Sequence, residues 1–203
     1  RTAAVPGHVR HARDLAGAML DARRYDRAVR AADGRLPPPV DPDGTLDSPR
    51  FPGYSFGPFA PKGVGVIDVD GDGAPDIVAT QAWNRPEARL IVLFNRGLLF
   101  TTTALVPSYD GPEPIQIGDI NLDGLPDVIV AHGGWQRAGV YTRRAGGGLD
   151  AEALFAIPHS DHYEPQGIAI GDLNGDGRAD LAIADPSARL IILYNTTPHA
   201  VTA

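Results

Sequence analysis

Short apolar runs alternate with acidic, glycine-rich clusters through the last two thirds of the chain. Three runs of five residues, at 76–80, 127–131 and 180–184, are largely apolar and continue directly from such a cluster. Runs of this length, bounded by turn-forming residues, are typical of buried β-strands. A similar run precedes each cluster, so every cluster is predicted to be a loop between two strands. The preceding runs are 63–67, 115–119 and 167–171.

Apolar residues recur with a different spacing at the beginning of the chain. In 8–33, apolar residues recur at three- and four-residue steps with Arg and Asp between them, which predicts an amphipathic helix. The pair Asp33-Gly34 would end this helix. We therefore expect a helical arm at 1–35 and a Pro-rich linker at 36–61.

Residues 15–28 of this helix resemble one tetratricopeptide-type helical hairpin, with a break near Arg23 and Arg24. A single repeat of that type cannot bury its apolar face alone. The arm would therefore either cover its own domain or dock on another protein, and the sequence leaves both alternatives open.

The acidic clusters are three copies of one nine-residue motif. The copies read DVDGDGAPD, DINLDGLPD and DLNGDGRAD and begin at residues 68, 119 and 172. The spacing indicates an internal repeat of about 50 residues. Oxygen-bearing side chains occupy positions 1, 3, 5 and 9, and glycine occupies position 6 in every copy.

Oxygen-bearing side chains at alternate positions of a tight turn would converge on one small volume. Several carboxylates repel one another there unless a cation lies among them, and Ca²⁺ suits such a site because it takes six to eight oxygens at flexible geometry. Position 7 varies in side chain, so it would contribute its backbone carbonyl. The predicted ligands of up to three Ca²⁺ ions are Asp68, Asp70, Asp72, Ala74 and Asp76; Asp119, Asn121, Asp123, Leu125 and Asp127; and Asp172, Asn174, Asp176, Arg178 and Asp180.

The motif is not that of an EF-hand, which needs a bidentate Glu at position 12. The three residues at that position are Ala79, Val130 and Ile183, all apolar. The second and third loops also carry a neutral Asn121 or Asn174 where the first has Asp. The first loop, with four carboxylates, is therefore expected to bind calcium most tightly.

The motif D-x-[DN]-x-D-G-x-x-D in triplicate resembles the FG-GAP/VCBS repeat family, known from integrin-like β-propeller blades with calcium loops between neighbouring strands. The resemblance covers the chain from about residue 61 onward. Together with the arm, it implies a mainly β fold, a partial β-propeller of about three four-stranded blades with an N-terminal α-helical segment. The blades would span 62–110, 112–160 and 165–203. The resemblance does not imply one activity, because such repeats serve in adhesion, lectins, enzyme-associated domains and assembly factors.

The number of blades is low for a propeller. Closed propellers have about four to eight blades, and an open fan leaves apolar faces and strand edges unprotected. Self-association, capping by the arm and linker, or capping by a different protein would each solve this. The third blade also has few residues for an outer strand. The remaining strands are predicted at 89–95, 99–105, 138–143, 153–157 and 189–195.

The charge is uneven along the chain, which has a net charge of −7. Residues 1–35 carry eight Arg against four Asp, whereas the remainder carries ten basic against twenty-one acidic residues. Ten of those acids lie in the three loops, and three Ca²⁺ ions would bring the total to about −1. The Asp residues interleaved in the arm argue against a nucleic-acid partner.

Several classes of protein are disfavoured by composition. The absence of Cys excludes disulfides, thiolate catalysis and Cys-type zinc sites. No apolar run approaches membrane-spanning length, and the first residues lack the apolar region of a signal peptide. Seventeen Arg against one Lys is typical of a GC-rich bacterial genome.

No motif for catalysis is present. The sequence has no G-x-S-x-G elbow, P-loop, HExxH or dinucleotide fingerprint. His159 and His162 form an H-x-x-H pair, which a surface loop explains more simply than a metal site. Trp83 and Trp135 occupy comparable places in the first two blades and suit either packing or sugar stacking. Three near-equivalent acidic loops favour structural metal sites over one catalytic centre.

These observations predict a non-enzymatic, calcium-binding interaction or assembly subunit, whose blades act as a rigid protein-binding scaffold. Its partner would be another protein or a second copy of the chain that completes the open propeller. The alternatives are a carbohydrate-binding lectin, with a glycan as the partner, and a domain attached to or part of an extracellular hydrolase. Millimolar calcium outside the cytoplasm suits simple all-oxygen loops, so we expect a periplasmic or secreted bacterial protein.

Overall fold

The structure is a computed structural model that describes residues 61–97, 100–157, 167–185 and 189–198, apart from the side chains of 101–103. All of them belong to one compact unit, Gly53–Ala203. The predicted arm and the linker up to residue 60 lie outside the described residues. In the part that is described, no helix is long and apolar enough to cross a membrane.

The described residues form eleven β-strands. They are β1 Pro61–Ile67, β2 Asp76–Gln81, β3 Arg89–Asn95, β4 Phe100–Pro107, β5 Pro112–Gly118, β6 Asp127–His132, β7 Arg137–Tyr141, β8 Ala153–Ala156, β9 Gly167–Gly171, β10 Asp180–Asp185 and β11 Arg189–Leu193. Sequential strands pair antiparallel in three sheets, β1-β2-β3-β4, β5-β6-β7-β8 and β9-β10-β11. We call these sheets blades one, two and three. The prediction of a mainly β chain forming a partial β-propeller is confirmed.

The three blades share one strand register. The ninth residue of each motif opens the second strand and pairs with the last residue of the first, as in Asp76↔Ile67, Asp127↔Gly118 and Asp180↔Gly171. Positions can therefore be matched between blades from their strand pairing. The short runs form strands because their β-branched residues suit a pleated sheet with one residue in two on each face.

The first hydrophobic core lies between blades one and two. Val78, Leu90 and Val92 project from blade one, and Ile115 and Val130 from blade two. We call the face that a blade turns to its successor the leading face, and the opposite face the trailing face. The leading face of blade one thus packs on the trailing face of blade two.

The second core repeats this arrangement between blades two and three. Ile129 and Val140 on the leading face of blade two pack with Ile168, Leu181 and Ile183 on the trailing face of blade three. Each of these side chains is almost fully buried. The fold therefore consists of one blade-to-blade contact used twice, and it presents three equivalent loops between first and second strands.

Candidate metal centre

The first Asp of each motif organises the loop that follows it. Asp68 accepts hydrogen bonds from the amides of Gly71 at 2.7 Å and Gly73 at 3.0 Å. The bond to the sixth-position glycine recurs in the other loops, from Gly124 to Asp119 and from Gly177 to Asp172, at 2.9 Å in both. A carboxylate that accepts several amides holds the backbone in a tight turn and keeps unshared lone pairs for a further partner.

The sixth position requires glycine. Its φ angle is +86° in Gly73, +83° in Gly124 and +81° in Gly177, a region that residues with a side chain rarely adopt. The fourth position is also left-handed, and in the second loop it is Leu122, with φ +64°. The second loop therefore carries backbone strain that the other two, with glycine at that position, avoid.

The ninth-position aspartates are fully buried at 0% exposure. Asp76 accepts the amide of Val69 at 2.9 Å with one oxygen and that of Asn95 at 2.8 Å with the other. Asp127 and Asp180 make the same pair of bonds, one to the second residue of the loop and one to the residue at or just after the end of the third strand. Each of these aspartates therefore ties its loop to the third strand of its blade.

The third and fifth positions are more exposed and differ between loops. In the first loop, Arg96 pairs with Asp70 at 2.5 Å and with Asp72 at 2.7 Å. The Arg96 guanidinium, with the adjoining amide bonds, holds the pKa of Asp70 below its usual range. In the second loop, Asn121 instead donates to Asp123 at 2.9 Å and accepts its amide at 3.0 Å. The third loop repeats that pattern between the corresponding Asn and Asp.

Three carboxylates of the first loop converge. Oxygens of Asp68, Asp70 and Asp76 all lie within 4.8 Å of one another. Ligand oxygens lie about 2.3–2.6 Å from Ca²⁺, so two on opposite sides of one ion are about 5 Å apart. The three oxygens therefore fit around a single calcium ion. Asp72 is not part of this trio; its carboxylate accepts the amide of Ala74 and pairs with Arg96.

Burial and hydrogen bonding shift the pKa values of different loop carboxylates in opposite directions. Burial raises the pKa of Asp127, and the nearby negative charges of Asp123 and Asp119 add to the effect. In the third loop, the amide of Gly177 is the main cause of a lowered pKa at Asp172. Loop carboxylates that stay ionised are suited to a cation, and the buried group among them gains most from added positive charge.

Neighbouring loops are linked across the blades. Arg143, in blade two, donates its amide to Asp127 at 2.9 Å and its Nε to the carbonyl of Asp68 at 2.5 Å. Asn195, in blade three, donates its amide to Asp180 at 2.8 Å and its Nδ2 to the carbonyl of Ile120 at 2.7 Å. In both cases one residue holds its own loop and also contacts the loop of the preceding blade.

A second polar cluster joins blades one and two, and no motif in the sequence indicates it. His132 contacts Glu152 through Nε2 at 2.8 Å and the carbonyl of Asp110 through Nδ1 at 3.1 Å. Glu152 also accepts the amide of Tyr109 at 2.6 Å. A side chain at Gly139 would overlap the Glu152 carboxylate. All these polar atoms are engaged with one another, so the cluster is structural in character.

The histidine pair and the two tryptophans named in the sequence analysis lie away from the acidic loops or outside the described residues. His159 and His162 lie outside the described residues. Trp83 and Trp135 are 53% and 45% exposed, beyond the ends of β2 and β6 that are remote from the acidic loops. The Trp135 ring meets Tyr109 edge-on with the ring centroids 6.0 Å apart. These indoles thus lie on a different surface from the candidate metal centre.

Two integrin chains of Drosophila melanogaster are similar in sequence. Integrin alpha-PS5 and integrin alpha-PS3 are each 27% identical over an alignment of 169 residues, and the match covers 73% of this chain. The match spans only 17% and 15% of those two proteins. Their whole-protein activities and partners therefore do not transfer with the similarity.

Similar solved structures include the Photorhabdus luminescens Tc holotoxin pore, with 21% identity and a TM-score of 0.44 over 68% of this chain and 7% of that one. They also include BBS1N in complex with ARL6DN, with 18% identity and a TM-score of 0.46 over 72% of this chain and 43% of that one. These likenesses are too distant to carry an argument.

Family models cover most of the β region. The model of an FG-GAP-like repeat matches residues 68–130 and 119–183, and that of the FG-GAP repeat matches 165–202. Each match contains at least one acidic loop and the strands around it. The chain therefore belongs to the FG-GAP repeat family.

Proposed function

We propose that the chain is a calcium-supported scaffold for protein–protein interaction, without enzymatic activity. The observation that carries this proposal is the convergence of Asp68, Asp70 and Asp76 in a loop whose backbone arrangement recurs in every blade. The side chains at positions 1, 3, 5 and 9 and the carbonyl at position 7 would hold up to three ions. These residues are Asp68, Asp70, Asp72, Ala74 and Asp76; Asp119, Asn121, Asp123, Leu125 and Asp127; and Asp172, Asn174, Asp176, Arg178 and Asp180.

A bound Ca²⁺ ion would supply positive charge among the carboxylates of each loop. The chain's own residues do the rest: the first and ninth aspartates shape each loop, and Arg143 and Asn195 connect successive loops. Blades fixed in this way present surfaces of constant shape to a partner, which lowers the entropic cost of binding. All-oxygen loops that are largely open to solvent suit millimolar calcium, so we place the protein outside the cytoplasm.

A scaffold explains the repetition better than a catalyst does. Catalysis needs one asymmetric centre, whereas support is needed in each blade. The buried His132–Glu152 pair is enclosed between two blades and occupied by structural hydrogen bonds. Repetition of the loops and the structural bonding of this pair therefore both favour a scaffold over an active site.

Calorimetric calcium titration of the full chain tests this function. We expect binding with a stoichiometry of up to three, strongly reduced when the fifth-position groups are removed together by Asp72→Ala, Asp123→Ala and Asp176→Ala. The matched control is Asp150→Ala, which removes an exposed carboxylate outside the loops and should leave the titration unchanged. Absence of binding by the wild-type chain at millimolar calcium would contradict the proposal.

A lectin is the second candidate, because two indoles at comparable places in blades one and two are about half exposed. Sugar rings stack on such surfaces through their C–H groups. Trp83→Ala and Trp135→Ala should then each abolish retention on a glycan array. Retention of no glycan by the wild type would remove the lectin candidate.

A further inference from the structure

The segment that connects blade one to blade two is held by side chains of both blades. It consists of residues 108–111, between the end of β4 and the start of β5. In blade one, Arg85 donates its amide to Asp110 Oδ1 at 2.6 Å and its Nη2 to Asp110 Oδ2 at 3.1 Å. In blade two, His132 contacts the carbonyl of Asp110 through Nδ1 and is itself held by Glu152 through Nε2. His132 therefore fastens the connecting segment to blade two.

Both ring nitrogens of His132 face oxygen atoms. Nδ1 lies 3.1 Å from the backbone carbonyl of Asp110, and Nε2 lies 2.8 Å from a carboxylate oxygen of Glu152. A neutral imidazole has one N–H and one lone pair, whereas an imidazolium donates at both nitrogens. A neutral ring would therefore turn its lone pair toward one of the two oxygens. Because the His132 side chain is 0% exposed, bulk water cannot supply the missing hydrogen, and the geometry requires one more proton than a neutral ring carries.

The surroundings of Glu152 place this proton on the histidine. One carboxylate oxygen accepts the amide of Tyr109 at 2.6 Å, and the other lies 3.5 Å from Ser108 Oγ. Burial raises the pKa of Tyr141, and the charge of Glu152 adds to the effect, so the Tyr141 hydroxyl keeps its hydrogen. Donors therefore surround the carboxylate, and hydrogen bonds to the charged form of an acid favour that form. The proton of the pair then belongs to His132.

Among the described residues, the other titratable and charged groups around the imidazole have partners of their own. The Arg85 guanidinium holds the pKa of Asp110 below its usual range, so this acid is ionised near neutral pH. Glu152 is therefore the acid that balances the charge of His132. The neighbouring groups are Asp110, paired with Arg85 at 3.1 Å; Glu113, paired with Lys62 at 2.7 Å; Arg137, which donates to the carbonyl of Gln136 at 3.3 Å; and Tyr109, whose ring meets the imidazole edge-on at 5.6 Å.

We propose that protonated His132 is a pH-sensitive link, which fastens the connection between blades one and two and weakens as the pH rises. A histidine in an unfolded chain loses its proton near pH 6.5. Below that pH both states carry the proton, and the full contact is present. Above it, the folded chain holds a proton that the unfolded chain lacks, so folding becomes less favourable as the pH rises. The link involves none of the acidic loops and does not depend on calcium.

Denaturant unfolding of the full chain in EDTA, over a series of pH values above neutrality, tests the link. Because one proton is bound on folding, the wild-type equilibrium constant for unfolding should rise by up to about tenfold for each pH unit. Glu152→Gln should remove this dependence, since its amide can donate to Nε2 of a neutral His132 while its carbonyl still accepts the amide of Tyr109. Asp150→Asn, which neutralises an exposed acid nearby in sequence, is the matched control and should keep the wild-type slope. Equal slopes in the wild type and Glu152→Gln would overturn the proposal.

Nuclear magnetic resonance of the wild-type chain, with ¹⁵N in the histidine rings, gives a second measurement that needs no variant to fold. The His132 signals can be assigned from their proximity to the ring of Tyr109, whose centroid is 5.6 Å away. At about pH 7.5, where an unperturbed histidine is mostly neutral, both ring nitrogens of His132 should carry a proton, and these protons should exchange slowly with water. A His132 ring with one unprotonated nitrogen at that pH would overturn the proposal.

Discussion

The buried positions of the acidic loops make the same contacts in all three blades, whereas the exposed positions do not. The ninth-position aspartates Asp76, Asp127 and Asp180 are fully buried and make the same two backbone hydrogen bonds in every blade. The third and fifth positions are more exposed and have different partners. Arg96 pairs with these groups in the first loop, whereas an amide and a carboxylate pair with each other in the second and third, and Arg178 also pairs with Asp176 in the third.

This contrast separates two reasons for an acidic motif. The ninth position has a role in folding, because its oxygens bond to the end of the third strand and to the loop whether or not a metal also binds. The third and fifth positions make few contacts that folding requires, so their oxygens are explained by a ligand. A substitution at the ninth position should therefore reduce stability even in a chelator, whereas one at the fifth should act only when calcium is present.

The largest effect is expected for Asp127→Asn. An amide can accept one of the two backbone N–H groups that Asp127 satisfies, but it turns a donor toward the other, which is left unpaired in a buried place. We expect the free energy of unfolding in EDTA to fall by about 3 kcal/mol, measured by denaturant titration.

The control for that prediction is Asp123→Asn, which makes the same change of charge in the same loop at an exposed position. It should cost less than about 1 kcal/mol in EDTA. Equal losses in the two variants would remove the distinction between buried and exposed positions.

Arg143→Met should have the next largest effect. It retains the backbone bond to Asp127 and removes the guanidinium that reaches the carbonyl of Asp68 in the neighbouring blade. A hydrogen bond from a charged group to a largely buried partner contributes about 2 kcal/mol, and we expect a loss of that size in the unfolding free energy.

Arg144→Met is the matched control, because Arg144 is the adjacent residue but its side chain is 57% exposed. It should leave stability nearly unchanged. If both arginine variants behave alike, the link between the first and second loops does not contribute to stability.

The fold could be predicted from sequence because its signals are local. A β-branched run after an acidic turn is visible within about ten residues, and β3 begins and ends where the pattern places it. The contacts of Arg143 and His132 could not be predicted in this way. Arg143 is 75 residues from Asp68 in sequence, and His132 is 20 from Glu152. The first pair is brought together by the packing of blades one and two, and the second by the folding of blade two.

The candidate site was predictable in outline for the same reason. The spacing of oxygens indicated which side chains share a loop, and the register of the strands was implied by repetition. The different environments of Asp72 and Asp76 were not visible, because they depend on Arg96 and on the end of the third strand. The number of carboxylates alone favours the first loop as the tightest calcium site. Arg96, however, pairs with Asp70 and Asp72 and would compete with calcium for them.

Arg96→Gln tests whether Arg96 competes with the cation, and its effect should be smaller than that of Arg143→Met. Removing the guanidinium frees Asp70 and Asp72, and an exposed ion pair of this kind changes binding by roughly two- to fivefold. We expect calcium affinity of the first loop to increase by that factor, measured by calorimetry in a chain where Asp123→Ala and Asp176→Ala disable the other loops. Unchanged or weaker binding would show that Arg96 does not compete with the cation.

The smallest effect is expected for Leu122→Gly. Glycine removes the cost of a left-handed backbone but also makes the unfolded chain more flexible, so the net gain should be about 0.5 kcal/mol. The reverse change at the equivalent place, Gly175→Leu, should be destabilising. Denaturant titration of both variants gives the comparison, and a loss of stability on Leu122→Gly would contradict the account of strain in the second loop.

The most direct test of the calcium scaffold is thermal unfolding of the full chain in EDTA and in millimolar calcium. A ligand that binds only the folded state stabilises it by mass action. We predict that calcium raises the melting temperature by about 5 °C or more, and that the rise is abolished by the triple variant Asp72→Ala, Asp123→Ala, Asp176→Ala. Identical melting in calcium and in EDTA would show that the loops are ordinary turns and would contradict the proposed function.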